Sequence, residues 1–132
     1  MARLPMILLL IIAGMDSLPR ENHMITFIGM KDCPNTPPMR ASLQQALYEL
    51  GRNLPVAYLD LVQLAKEHDT RAGYGSPTIL IDGVDLFGED PSESLNPACR
   101  YYRDGVPDKF AIIGHMKSMM KSPWPIPLAR PF

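Results

Sequence analysis

The stretch SPTILIDGVDLFG, residues 76–88, carries the clearest fold signal in the chain. Asp82 and Gly83 stand between two apolar runs, and Asp-Gly is a favoured pair for the two-residue type I′ turn of a β-hairpin. The sequence therefore predicts that residues 78–81 and 84–87 pair as antiparallel strands.

Two further strands are predicted before this hairpin. The segment ITFIG, residues 25–29, is β-branched and aromatic and ends at a glycine, which is typical of a buried strand. The segment LPVAYLDL, residues 54–61, predicts a second strand near 55–59.

Three helices are predicted around these strands. The segment MRASLQQALYEL, residues 39–50, has apolar side chains at helical spacing, and Pro38 suits its first turn. Asp60 and Gln63 resemble a capping box ahead of a short second helix. Pro107 opens a third helix. One side of that helix is expected to carry Phe110, Ile113, Met116, Lys117 and Met120.

In this order, the elements predict an α/β fold with a mixed four-stranded sheet flanked by helices on both faces. The length of 132 residues fits one domain, which we assign to residues 24–121. Residues 122–132 are a proline-rich tail that cannot continue a helix.

Residues 1–23 form an apolar N-terminal extension. Its apolar run, from Leu4 to Met15, is shorter than the roughly 20 residues that a membrane-spanning helix needs, so no span is predicted. An A-x-A-like cleavage site is also missing. We therefore favour a cytoplasmic location, with export through this segment as the minority interpretation.

Composition excludes several classes of partner and site. The chain has 13 basic and 14 acidic residues, so it lacks the positive surface that nucleic acid would need. Two cysteines without a CxxC pair indicate neither a disulfide-rich scaffold nor a zinc site. We assign no metal role to the three histidines, and the methionines of the last helix are more typical of a core. These residues are His23, His68, His115, Met116, Met119 and Met120.

Cys33 lies in the segment DCPNTPP, residues 32–38, between the first strand and the first helix. A cysteine acts as a nucleophile or soft-metal ligand only as a thiolate, and the pKa of a free thiol is about 8.5. The N–H groups of Asn35 and Thr36, the Thr36 hydroxyl and Lys31 are candidate stabilisers of the thiolate, whereas Asp32 opposes them.

The double proline that follows affects the start of the helix. Pro37 and Pro38 lack N–H groups, and each disfavours helical geometry in the preceding residue, so we expect the helix to begin late. Cys33 is then a moderately activated thiol in an exposed polar turn, with a buried inert cysteine as the alternative. Cys99 is either a distal resolving thiol, a second soft-metal ligand or a small core residue.

The Cys-Pro-x-Thr turn, residues 33–36, and the segment GSPT, residues 75–78, resemble the thioredoxin-like superfamily, glutaredoxins in particular, over about residues 24–121. This resemblance implies a cis peptide bond between Ser76 and Pro77 that faces Cys33 and shapes a substrate-binding groove.

Two longer segments narrow the resemblance. YGSPTILIDGVDLFGE, residues 74–89, and ACRYYRDG, residues 98–105, are most similar to small bacterial thioredoxin-like proteins labelled alkylmercury lyase-like. Thioredoxins have a resolving cysteine where this chain has Thr36, and organomercurial lyases have there an aspartate that protonates carbon. The proton donor is therefore unassigned, with Asp32 and Asp85 as candidates.

The leading interpretation is a thioredoxin-fold thiol protein in which Cys33, aided by the Thr36 hydroxyl, exchanges disulfides without a bound cofactor. Its partner would be a small thiol such as glutathione or a protein disulfide. One alternative is binding of Hg(II) or an organomercurial by Cys33 and Cys99, with lyase-like cleavage. Another is a non-catalytic interaction module.

Two expectations follow for the thiols. We expect Cys33 to be alkylated faster than Cys99. We also expect the two cysteines to communicate after a loop movement rather than to form a preformed bridge.

Overall fold

Four strands form one mixed sheet with the order β2-β1-β3-β4. The computed structural model describes residues 23–52 and 54–120. β1 (Ile25–Gly29) pairs in parallel with β2 (Val56–Asp60) and antiparallel with β3 (Thr78–Ile81), and β4 (Val84–Asp85) lies antiparallel to β3. The predicted mixed sheet is confirmed. The apolar extension and the proline-rich tail lie outside the described residues, apart from His23.

The hairpin between β3 and β4 is the one predicted, although β4 is short. Asp82 and Gly83 have φ angles of 52° and 84°, as a type I′ turn requires. β4 ends at Asp85 rather than at residue 87, because the chain turns there: the N–H of Gly88 donates to the Asp85 carbonyl over 3.1 Å.

The first helix, α1 (Thr36–Glu49), begins two residues before Pro38 rather than late. The late start was a wrong prediction, since the first N–H groups of a helix have no intrahelical acceptor and prolines there lose no hydrogen bond. The predicted apolar face is confirmed. Its buried members are Met39, Leu43, Ala46 and Leu47.

The second helix, α2 (Leu61–Lys66), follows β2 directly. Asp60 is its N-cap residue, but the carboxylate makes no capping hydrogen bond, so the predicted capping box is not formed. The helix ends where His68 takes a left-handed conformation with a φ of 56°, and a separate 3₁₀ helix (Thr70–Tyr74) follows.

The third helix, α3 (Lys109–Met119), buries only part of the predicted side: Met116 and Met120 are buried as predicted and Ile113 is partly buried, but Phe110 and Lys117 are exposed. Asp108 caps it by accepting from the Ala111 N–H over 2.9 Å. Phe110 is 68% exposed, and the buried side chains lie at a spacing of four residues. They are Ile112, Met116 and Met120, so two of the three methionines are core residues, as expected, while Met119 is 36% exposed.

Two apolar clusters cover the two faces of the sheet. The larger joins Phe27 and Ile79 to buried side chains of α1 and α3, whereas the smaller joins Ile28 and Leu80 to α2 and the 3₁₀ helix. Each large side chain buried in this way contributes about 1.5–3 kcal/mol. The described helices include none long and apolar enough to cross a membrane.

Candidate thiol site

Cys33 lies in the turn that joins β1 to α1. Its N–H donates to the Met30 carbonyl over 3.0 Å, and its own carbonyl accepts from the Thr36 N–H over 3.1 Å. This local geometry points the side chain inward, and Cys33 is only 1% exposed. The expectation of an exposed thiol at this position is wrong.

Ser76 and Pro77 lie directly beside this thiol. The peptide bond between them is cis, as the resemblance implied. The Cys33 thiol donates to the Ser76 carbonyl over 3.4 Å. Ser76 is fully buried and Pro77 is buried as well, so their predicted contact with a substrate requires the covering chain to move.

Thr36 connects the thiol turn to Ser76. Its hydroxyl donates to the Met30 carbonyl over 3.2 Å and lies 2.9 Å from the Ser76 hydroxyl. Because the single Thr36 proton is used toward Met30, Ser76 is the donor in the second bond. Both hydroxyls can rotate toward the Cys33 sulfur once it becomes a thiolate.

The chain that covers this corner carries Cys99. The Ser76 N–H donates to the Ala98 carbonyl over 3.1 Å, and the Arg100 N–H donates to the Ser76 carbonyl over 2.6 Å. These two bonds form an isolated parallel bridge between Ser76 and Cys99. They place Cys99 beside Ser76, whose carbonyl also accepts from the Cys33 thiol, and the two cysteines are not joined as a disulfide. Their communication through a loop movement stays a prediction.

The two thiols have opposite electrostatic settings. Burial alone raises the pKa of Cys33, but hydrogen bonding from the Cys99 thiol, the Asn35 N–H and the two hydroxyls outweighs it, so the net pKa is lowered. The same interaction with Cys33 raises the pKa of Cys99, and burial and the nearby charge of Asp32 add to this rise. Deprotonation is therefore easier at Cys33 than at Cys99.

A buried ion pair that sequence reasoning missed holds the covering segment. The Arg100 guanidinium donates to both carboxylate oxygens of Asp85 over 2.8 Å each, and to the Thr78 hydroxyl over 3.1 Å. The Asp85 side chain is 0% exposed and that of Arg100 is 8% exposed. The Tyr102 hydroxyl donates to the Pro77 carbonyl over 2.6 Å, which adds a second tie to the same corner.

These contacts bear on the proton-donor candidates. Asp85 is fully buried and paired with Arg100, so a substrate cannot reach it, whereas Asp32 is exposed. No local pattern could have linked Arg100 to Asp85. The available signals were a charged residue just after the hairpin turn and the arginine next to Cys99.

The remaining candidates lie apart from the thiols. The Nδ1 atom of His23 is hydrogen-bonded to the Asp82 carboxylate over 2.6 Å. The ring centroids of His115 and Phe87 are 4.5 Å apart. In the part of the chain that the structure describes, no three His, Cys, Asp or Glu side chains group as metal ligands would. A groove of about 340 Å³ opens beside Thr36, with Lys31 and other residues of the ends of β1 and β2 in its wall.

No protein-family model, curated protein or solved structure matches this chain.

Proposed function

We propose that this chain is a thioredoxin-like thiol–disulfide exchange protein in which Cys33 and Cys99 form the redox couple. The strand order β2-β1-β3-β4, a cysteine at the start of α1 and a cis Ser76–Pro77 bond support the thioredoxin-like part of the proposal. The redox part rests on the placement of both cysteines at Ser76: the Cys33 thiol donates to its carbonyl, and Cys99 is bridged to it through the backbone.

The second sulfur takes the place of a local resolving cysteine. Thr36 occupies the position three residues after Cys33, where its hydroxyl orients Ser76 and supports the thiolate. Cys99 supplies the missing thiol from a distant part of the chain. The reduced pair gives two electrons and two protons to a disulfide, and the products are the Cys33–Cys99 disulfide and two free thiols.

The partner class follows from this chemistry. A small disulfide such as oxidised glutathione, or a protein disulfide, would accept the electrons. The groove beside Thr36 contains Lys31 and Arg40, whose charges suit the carboxylates of a peptide-like thiol.

Titration against a series of glutathione redox buffers tests the proposal. We expect an intramolecular disulfide between Cys33 and Cys99, identified by peptide mapping after acid quenching. The single variants Cys33→Ser and Cys99→Ser should be unable to form it, and both should fail to reduce a protein disulfide in the presence of a reductant. A folded wild-type protein that keeps both thiols free in excess oxidised glutathione would refute the redox couple.

Binding of a soft cation is a second candidate, favoured by the placement of both cysteines at Ser76. Thiolates prefer soft ions, and Hg(II) as cargo would be held by Cys33 and Cys99. Thr36 supplies no proton as an aspartate would, so we expect binding without carbon–mercury cleavage. One Hg(II) per chain, lost in either serine variant, with methylmercury left uncleaved, is the expected result. Release of methane would instead support a lyase.

A further inference from the structure

The two members of the proposed redox couple differ in their access to solvent. Cys33 is 1% exposed and its thiol donates to Ser76, to which the segment 98–100 is also bonded, whereas Cys99 is exposed. Thiol–disulfide exchange requires the attacking sulfur to reach one sulfur of the partner's disulfide from outside. A disulfide approaching the described surface therefore meets Cys99 before Cys33.

We propose that Cys99 is the thiol that forms the mixed disulfide with the partner and that Cys33 is the resolving thiol. This inference rests on the proposed function, and it reverses our expectation that Cys33 reacts first. The geometry assigns the roles, because the outer cysteine is exposed and is bridged to Ser76, the residue whose carbonyl accepts from the buried inner thiol.

The steps balance as ordinary exchange. In the reductive direction, Cys99 loses its proton and its sulfur attacks the partner's disulfide. A bond from Cys99 to one partner sulfur forms, the partner's disulfide breaks, and the other partner sulfur leaves as a thiolate that takes up a proton. Cys33 then attacks the Cys99 sulfur, which closes the internal disulfide and releases the second partner thiol.

The reverse direction uses the same assignment. An incoming thiol can reach only the Cys99 sulfur of the internal disulfide, so Cys33 is the leaving group. Cys33 leaves into a site that favours its anion through the Asn35 N–H and the hydroxyls of Thr36 and Ser76. A thiol with a lower pKa leaves faster, so access and leaving-group stability select the same sulfur for attack.

The backbone holds Cys99 within reach for the second step. Hydrogen bonds on each side of it, at Ala98 and Arg100, tie this segment to Ser76, whose carbonyl also accepts from the Cys33 thiol. The mixed disulfide therefore forms on a segment that is already attached beside the resolving sulfur.

Single-cysteine variants test the assignment. Reduced Cys33→Ser and Cys99→Ser proteins are each mixed with excess oxidised glutathione at neutral pH, and glutathionylation is followed by intact mass. We expect the variant that retains Cys99 to react at least about tenfold faster than the variant that retains Cys33, because burial blocks the inner thiol. Near-equal rates in urea would show that the difference comes from the fold.

Wild-type protein gives a second measurement that needs no variant. Reduced protein is exposed briefly to iodoacetamide, and the first modified peptide should contain Cys99. Faster glutathionylation and alkylation of Cys33 would overturn the assignment of roles while leaving the redox couple intact. Absence of the internal disulfide in wild-type protein would instead overturn the proposed function itself.

Discussion

Cys33 and Cys99 both bond to Ser76, but different kinds of structure hold them. Cys33 is fixed by its own neighbourhood, through backbone bonds to Met30 and Thr36 between a strand and a helix. Cys99 lies in a segment with neither helix nor strand, and that segment is fixed by residues far away in the sequence, Ser76 and Asp85. A perturbation can therefore detach the outer thiol while the inner thiol keeps its place.

Removing the buried counter-charge of the outer segment should have the largest effect. The Arg100 side chain is only 8% exposed. Asp85→Ala removes the carboxylate that pairs with it and leaves a buried charge without a partner, which costs about 3–5 kcal/mol. We expect the free energy of unfolding in urea to fall by that amount and the Cys33–Cys99 disulfide to form much more slowly.

A double variant is the control for this change. Asp85→Leu combined with Arg100→Met replaces both charges by apolar groups and should restore most of the lost stability. A loss below about 1 kcal/mol in Asp85→Ala would show that the outer segment is held by its backbone bonds alone.

The contrast between local and distant contacts also explains which features could be predicted from the sequence. The hairpin turn at Asp82 and Gly83, the apolar face of α1 and the pairing of the strands follow from local spacing, and they were predicted. The position of Cys33 before α1 was also predicted. The burial of Cys33 was not predicted, because its thiol packs against Ser76, a residue far away in the sequence.

The errors in the helices have similar causes. The buried side of α3 depends on how that helix meets α1, so Phe110 was placed inside although it is 68% exposed. The early start of α1 depends on the orphan N–H positions that Pro37 and Pro38 occupy without cost. The Arg100–Asp85 pair joins residues 15 apart that no periodic pattern connects.

Crowding the loop that leads to Cys99 should give the next largest effect. The Ser92 N–H donates to the Gly73 carbonyl over 2.8 Å, and a Cβ added at Gly73 would lie 2.1 Å from the Ser92 carbonyl oxygen. Gly73→Ala must displace this backbone, so we expect a loss of about 1–3 kcal/mol in urea unfolding and slower formation of the internal disulfide.

Gly114 offers the matched control. It lies within α3, and an added Cβ would meet nothing within 4 Å. Gly114→Ala should therefore raise the free energy of unfolding by about 0.5–1 kcal/mol and leave disulfide formation unchanged. Equal effects of the two substitutions would contradict the role of the close contact with Ser92.

A change beside the inner thiol should leave the outer segment in place. Thr36→Val removes the hydroxyl that bonds to Met30 and Ser76, at a cost of about 1–2 kcal/mol. It also removes one of the groups that lower the pKa of Cys33, so that pKa should rise. The measurement is the pH dependence of alkylation in a Cys99→Ser background, where one thiol titrates.

Thr36→Ser keeps the hydroxyl and controls for the lost methyl group. In the same Cys99→Ser background it should leave the pKa of Cys33 unchanged, whereas an unchanged pKa in Thr36→Val would mean that the hydroxyl does not support the thiolate.

The smallest effect is expected at Asp69, which caps the 3₁₀ helix that leads to Ser76. Its carboxylate accepts from the Arg71 backbone N–H and guanidinium, and the Arg71 interactions lower the pKa of Asp69 from 3.8 to about 2. Asp69→Asn keeps an acceptor for the cap and loses only the charge interaction. Arg71 is 42% exposed, so water screens this interaction and we expect a loss of about 0.5 kcal/mol in the free energy of unfolding.

The pH dependence of this loss identifies its cause. Because the folded-state pKa of Asp69 is depressed, the difference from wild type should be fully present above pH 3.8 and should vanish as the pH falls toward 2. Thermal unfolding of both proteins across that range measures it, and a difference that persists at the acid end would mean that the substitution damaged the cap rather than the ion pair. Neither thiol touches Asp69, so the rates of Cys33 and Cys99 alkylation should match those of the wild type.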